Sequence, residues 1–328
     1  MKTDDTFNDR LKLKLLSFIP NRTKKNRIYA YLRKGPRLPL ENIEHAREKI
    51  ISLSRKNPAV TFPGSIKDKT AVNEKRHTPI RVYTPPGEGP FPVIIYMHGG
   101  GFSIGDLDMA DNICRVLSSS TKSVVASVDY ALAPEYKFPF ALDECFEVIK
   151  WIESNSEELQ VRMSNLILAG DSAGGNLAAA LSLRFHEVNR PMPVYQVLLS
   201  PVLDMQTSAE EKLKNMEELV LSRRGMETFY HYYFEETADP ADLSASPLFA
   251  PESVFAALPA TILITAEDDP LSEEAFIYAD KLRQAGVRVY HKHYKEIFHD
   301  FVTFTGVLDE AEDALAYIAA ILTHEQKA

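Results

Sequence analysis

A chain of 328 residues, 45% hydrophobic and 25% charged, is long for one ordinary domain and short for two. It can bury a large core without help from disulfides or a metal. Its formal net charge of −9 excludes the concentrated basic face of a nucleic-acid binder, so no nucleic-acid partner is expected.

Residues Met1 to Asp9 are acidic and polar, unlike the basic start of a secretory signal. The run Leu11, Leu13, Leu15, Leu16 and Phe18, set among Lys12, Lys14, Lys24 and Lys25, is too short to span a membrane and is stopped by Pro20. It is expected to pack on its own protein, with no membrane insertion, and the chain is placed in the cytoplasm. Residues 1–55 read as helical segments broken at Pro20 and around Gly35-Pro36, a helical cap ahead of a catalytic domain over residues 56–328. The two cysteines, Cys114 and Cys145, fall in segments that read as helical and are expected as buried thiols in a reducing compartment.

From about Ile80, short apolar and β-branched runs alternate with helical periods, and no internal repeat is visible. This is the pattern of an α/β fold, a mostly parallel central sheet with helices on both faces. Strands are predicted at Ile80–Tyr83, Pro92–Met97, Ser123–Val128, Asn165–Ala169, Tyr195–Leu199, Thr261–Thr265 and Val287–His291. Several are continuously apolar, as a strand covered on both faces should be. Helices are predicted at Ala110–Ser119, Ala141–Glu153, Gly174–Glu187, Glu273–Ala285 and Glu310–Leu322. Residues 205–247 interrupt the alternation. They are charged, then aromatic at Phe229, Tyr230, Tyr232, Tyr233 and Phe234, and read as helices without a strand. Such an insertion is expected over the carboxyl ends of the strands, forming a lid with the N-terminal helices.

Gly170-Asp171-Ser172-Ala173-Gly174 fits G-x-S-x-G, with a strand before it and a helix after it. A Ser at so sharp a turn is held in a strained backbone that exposes its hydroxyl, and the following helix N-terminus favours negative charge there. A phosphate-binding loop would want Lys after the glycines, and none follows. His98-Gly99-Gly100-Gly101-Phe102 follows the strand Pro92–Met97. Three successive glycines leave backbone N–H groups unobstructed, so Gly100 and Gly101, with Gly99 beside them, join the Ala173 N–H as the expected oxyanion hole. His98 is expected to pin this loop through a side-chain hydrogen bond.

An acid and a base should follow the nucleophile in that order. Glu267-Asp268-Asp269-Pro270-Leu271 is the loop at the carboxyl end of strand Thr261–Thr265. Asp269 is preferred as the acid because Pro270 fixes the backbone after it, and Asp268 is its rival. His299, between apolar Phe298 and the final helix, is the expected base. His291 and His293 alternate onto one strand face but lack a third ligand of clear spacing, so no metal is expected. His231 is assigned to the lid, lining the pocket or the surface.

These residues resemble the bacterial acetyl-esterase branch of the hormone-sensitive-lipase group of α/β-hydrolases. The resemblance runs from about Pro79 to Phe304 and rests on His98–Phe102, Asp129-Tyr130-Ala131-Leu132-Ala133-Pro134-Glu135, Phe138-Pro139, Gly170–Asn176, Ser246-Pro247, Asp269-Pro270-Leu271 and His299. It implies the α/β-hydrolase fold, an N-terminal helical cap, a triad of Ser172, Asp269 and His299, an oxyanion hole at Gly100, Gly101 and Ala173, and hydrolysis of short-acyl esters without a cofactor. Two departures stand out. Family members usually carry Arg where Ala131 stands, so a family salt bridge is missing and the anchoring of the Ala133-Pro134-Glu135 turn is left open. Glu273 replaces the commoner Asp two places after Leu271.

The expected reaction is acyl transfer through Ser172 to water, on small-molecule esters from acetyl to about hexanoyl. Alternatives are an amidase or deacylase acting on small N-acyl compounds with the same triad, and a non-catalytic ligand receptor on the same scaffold. A homodimer through the last helix or the strand Val287–His291 is compatible with the scaffold.

Overall fold

The computed structural model describes residues 20–34, 37–55, 57–72 and 76–325. The apolar run before Pro20 and the break at Gly35-Pro36 lie outside the described residues. Two helices come first, α1 (Asn21–Lys34) and α2 (Ile43–Ser54), the latter capped by Asn42, whose side chain accepts from the His45 N–H.

Eight strands follow: β1 (Ser65–Val72), β2 (His77–Thr84), β3 (Phe91–Met97), β4 (Val124–Val128), β5 (Val161–Asp171), β6 (Tyr195–Leu199), β7 (Ala260–Asp268) and β8 (Val289–Phe298). They form one sheet in the order β1-β2-β4-β3-β5-β6-β7-β8, with β2 antiparallel to both neighbours and every later pair parallel. The longer helices are α3 (Asp111–Thr121), α4 (Phe140–Ser154), α5 (Ala173–Glu187), α6 (Arg223–Tyr233), α7 (Ser272–Gln284) and α8 (Asp309–Glu325).

The fully buried strand β3 explains the continuous apolar runs. Val93, Ile95 and Met97 point into one core, with Leu142, Cys145 and Val148 of α4, Leu177 and Leu181 of α5, and Tyr278 and Leu282 of α7. Ile94 and Tyr96 point into the other, with Ile113, Cys114 and Leu117 of α3 and Leu315, Ile318 and Leu322 of α8. Cys114 and Cys145 are therefore free, buried thiols on opposite faces of the sheet, too far apart in the architecture to bridge. Truncating a stripe residue such as Leu315 to Ala removes packing worth about 2–5 kcal/mol.

Several strands run longer than predicted, and two differ most from the sequence-based expectation. β1 was not predicted, because its Lys67, Asp68 and Lys69 break the apolar pattern; it is an exposed edge strand, where charge guards against further pairing. The last strand starts two residues later than predicted and runs seven further, with a register shift against β7 between Ala266 and Asp268. Its outer residues are also polar, and the shift brings Phe298, next to His299, into pairing with Asp268. The insertion contains one helical turn at Ala209–Lys212 and α6, with no strand among the described residues. It meets the N-terminal segment directly: Tyr232 Oη donates to Leu40 O, in the turn between α1 and α2, at 2.6 Å, and Arg33 of α1 forks onto Glu217. Among the described residues no helix is long and apolar enough to cross a membrane.

Candidate active site

Strand β5 ends at Asp171 and α5 begins at Ala173, so Ser172 alone makes the turn, at φ 52° and ψ −113°. That conformation costs an L-residue of order 1–3 kcal/mol and is held by main-chain bonds. The Ser172 N–H donates to Leu199 O at the end of β6 (2.8 Å), and Ser172 O accepts from the Val202 N–H (3.2 Å). The turn also needs Gly174, where a Cβ would lie 2.0 Å from Met97 O.

His299 follows β8 immediately. Its Nε2 is 2.9 Å from Ser172 Oγ, and its Nδ1 is 2.9 Å from Asp269 Oδ2. The second approach is short but lies off the straight line of a hydrogen bond, and neither atom has another hydrogen-bonding partner. We read it as the acid–base pair, since such contacts tighten when a reacting complex forms. The other Asp269 oxygen accepts the Leu271 N–H at 2.9 Å, which fixes the carboxylate through the loop it belongs to. Asp268 turns away and accepts a hydrogen bond from Tyr29 Oη of α1. The structure thus brings Ser172, Asp269 and His299 together, all buried, and leaves Asp268 outside.

The glycine loop leaves β3 beside the elbow. Gly100 (φ +113°) and Gly101 (φ +58°) adopt conformations that suit glycine, closed by Ser103 N–H and Ile104 N–H on Gly100 O. Among the described residues no bond occupies the Gly100 or Gly101 N–H, and the Ala173 N–H heads α5, where no intrahelical acceptor exists. Gly99 does not join them: its N–H is donated to Asp171 Oδ2 at 2.8 Å and is not available to an oxyanion. That bond ties the loop to Asp171, the residue before Ser172. His98 pins the loop as expected, with Nδ1 donating to Gly99 O (2.7 Å) and its ring stacked on Tyr130. His291 and His293 share the Thr265 hydroxyl instead of converging on a ligand position, and His231 is exposed.

Phe229 was expected only as one of the lid aromatics, and Arg47 and Glu274, which also shape the site, were not singled out in the sequence. Phe229 of α6 lies over the glycine loop, so close that a Cβ on Gly101 would be 2.5 Å from its ring. Arg47 of α2 donates to both Glu135 oxygens at 2.7 Å, and to Ala133 O and Ser103 O at 2.8 Å. It anchors the turn that lacks an arginine at position 131, and its hydrogen bonds hold the Glu135 carboxyl below its ordinary range. After Leu271 the buried acid is Glu274, which accepts from the Leu203 N–H and pairs with Lys212 of the insertion, whereas Glu273 is exposed. The only local signal for Asp171 and Asp300 was their position, next to Ser172 and His299 respectively.

The family of the α/β-hydrolase fold matches residues 94–303. Carboxylesterase NlhH of Mycobacterium tuberculosis is 34% identical over 239 residues, 72% of this chain and 75% of that protein. Ethyl acetate hydrolase of Pseudomonas putida is 32% identical over 265 residues, 79% of this chain and 83% of its own length. Among solved structures, an ester hydrolase from the metagenome of Lake Arreo superposes with a TM-score of 0.86 at 29% identity, covering 94% of this chain and 99% of that one. A hyperthermophilic esterase from the archaeon Pyrobaculum calidifontis gives 0.80 at 32% identity, over 89% of this chain and 100% of that one. Strand order, elbow and relatives agree, and the chain belongs to the α/β-hydrolase family, in the carboxylesterase group related to hormone-sensitive lipase.

Proposed function

We propose that the protein is a serine esterase that hydrolyses short-acyl esters, from acetyl to about hexanoyl, through an acyl-enzyme on Ser172. The observation that carries this reading is the relay Ser172 Oγ to His299 Nε2 and His299 Nδ1 to Asp269 Oδ2, each 2.9 Å, on a strained elbow. His299 takes the Ser172 proton as Oγ adds to the ester carbonyl. Charge develops on the carbonyl oxygen against the N–H groups of Gly100, Gly101 and Ala173. The tetrahedral species collapses with loss of the alcohol, which receives the proton from His299. Water, deprotonated by the same imidazole, then attacks the acyl-enzyme, and the carboxylic acid leaves as Ser172 regains its proton. Asp269 fixes the imidazole orientation and stabilises its transient positive charge.

The N-terminal helices and the insertion act together as the cap. Support for a short acyl group comes from Phe229, whose ring narrows the space above the glycine loop. Further support comes from the relative named for ethyl acetate. A panel of p-nitrophenyl esters of rising acyl length tests the assignment, with Ser172→Ala as the control. Activity should peak between acetyl and hexanoyl and fall by several orders of magnitude in the variant. A maximum on long-chain emulsified triglycerides overturns the acyl range, and a folded Ser172→Ala enzyme of near-normal activity overturns the nucleophile. A matched aryl amide should turn over far more slowly than its ester; the reverse favours an amidase.

A further inference from the structure

Asp171 precedes the nucleophile and Asp300 follows the base, and the fold turns the two carboxyls toward one another. Asp171 is 1% exposed, and its Oδ1 accepts from Tyr96 Oη at 2.6 Å while its Oδ2 accepts from the Gly99 N–H at 2.8 Å. A Cβ placed on Gly99 would lie 2.3 Å from Asp171 Oδ2 and 3.2 Å from Asp300 Oδ2, so both oxygens crowd the same glycine. The two side chains are within hydrogen-bonding reach, and the remaining Asp300 oxygen is buried without a partner. Among the described residues no Lys or Arg forms a salt bridge with either. The other titratable groups acting on the pair are Tyr96, His98, Cys114, Tyr130 and Asp269.

Two carboxyls crowded on one glycine, Asp171 buried and Asp300 half-buried, oppose each other's ionisation. The hydrogen-bond inventory decides which one keeps the proton. Asp171 already accepts from two donors, which favours its anion, whereas among the described residues no donor reaches the Asp300 carboxyl, which can bond to the Asp171 carboxylate only as an acid. Burial, then the charge and hydrogen bond of Asp171, hold the Asp300 carboxyl well above its ordinary range, and Asp269 acts in the same direction. Asp300 also has a left-handed backbone, φ 60° and ψ 30°, where an L-residue other than Asn or Asp is disfavoured.

We propose that Asp300 is a positioning residue for ester hydrolysis: as a neutral acid it donates its O–H to the Asp171 carboxylate, tying the loop of His299 to the elbow of Ser172 and, through Gly99, to the oxyanion loop. The proposal rests on the serine-esterase reading given above. It makes the base and the nucleophile share one buried proton that takes no part in the chemistry.

The test compares Asp300→Gly, which suits the backbone but deletes the carboxyl, with Asp300→Asn, whose amide N–H replaces the acid O–H. With p-nitrophenyl acetate, Asp300→Gly should lose about 10- to 100-fold in kcat with KM within about threefold, and Asp300→Asn should recover most of that loss. Infrared difference spectra at neutral pH should show a protonated-carboxyl C=O band in the wild type that is absent from Asp300→Asn. The band needs no activity and no folded glycine variant. Wild-type kcat in Asp300→Gly, failure of Asp300→Asn to recover activity, or absence of the band each overturns the proposal. Failure of the esterase reading is separate: it shows as a wild-type enzyme that a fluorophosphonate does not label, whatever the carboxyl band does.

Discussion

The Ser172 side and the His299 side of this site are held by different means. Ser172 is fixed by main-chain bonds to Leu199 at the end of β6 and to Val202 just beyond it, and by a glycine contact on the backbone of β3. The loop around His299 is fixed by side chains from distant elements. Tyr29 of α1 packs edge-on against Phe298, Asn57 and Asn112 donate to Thr303 O and Thr305 O, and Asp300 meets Asp171. The difference teaches where the enzyme is vulnerable. No side-chain truncation outside the elbow removes the bonds that hold Ser172, whereas single polar substitutions far away in sequence can loosen His299.

The sharpest way to probe this contrast is on the acid loop. Asp269→Asn should lower kcat by about 10⁴-fold, because the imidazole loses its orienting anion. Asp268→Asn, one residue away, should cost less than about tenfold, since Asp268 meets Tyr29 and not His299. Steady-state kinetics on a short p-nitrophenyl ester measures both, and equal losses would dissolve the distinction.

A second probe acts on the N-terminal helices. Arg47→Met removes four hydrogen bonds that join α2 to the oxyanion loop and to the Ala133–Glu135 turn. Urea unfolding should register a loss of about 2–3 kcal/mol. Because the Glu135 carboxyl is held low in the folded state, its stabilisation is present above the unfolded carboxylate range and is lost as pH falls through the folded value. The variant should therefore be less acid-sensitive than the wild type; an unchanged acid profile would mean that the pair contributes nothing.

The third probe is the smallest and concerns Asp300. Its folded value is raised, so above the unfolded carboxylate range the folded state holds a proton that the unfolded state has released. Stability from this group then declines as pH rises, by up to about 1.4 kcal/mol per unit, until the folded value is passed. Asp300→Asn abolishes the term. The stability difference, variant minus wild type, should grow between about pH 5 and pH 7 in denaturant titrations, and a flat difference would contradict a protonated Asp300.

What the sequence made legible follows the same division. The elbow, the glycine loop and the order of Ser172, Asp269 and His299 are short-range features, each a strand end followed by a turn with its own chemistry. The alternating apolar runs are legible for the same reason, since period and burial are local. The charged edge strand β1 and the polar end of β8 were hidden, because one side of each meets water and erases the pattern. Gly99 was misassigned because a row of glycines does not reveal which N–H is already taken, and its partner Asp171 lies 72 residues on. Arg47 bridging to Glu135 and Asp300 facing Asp171 are long-range pairings that no spacing rule encodes.

Covalent trapping shows whether Ser172 is the nucleophile that this fold presents. Intact-mass analysis with peptide mapping after a fluorophosphonate should find one adduct per chain, on Ser172, and none in Ser172→Ala. No adduct on the active wild-type enzyme, or an adduct on another residue that abolishes activity, would rule Ser172 out.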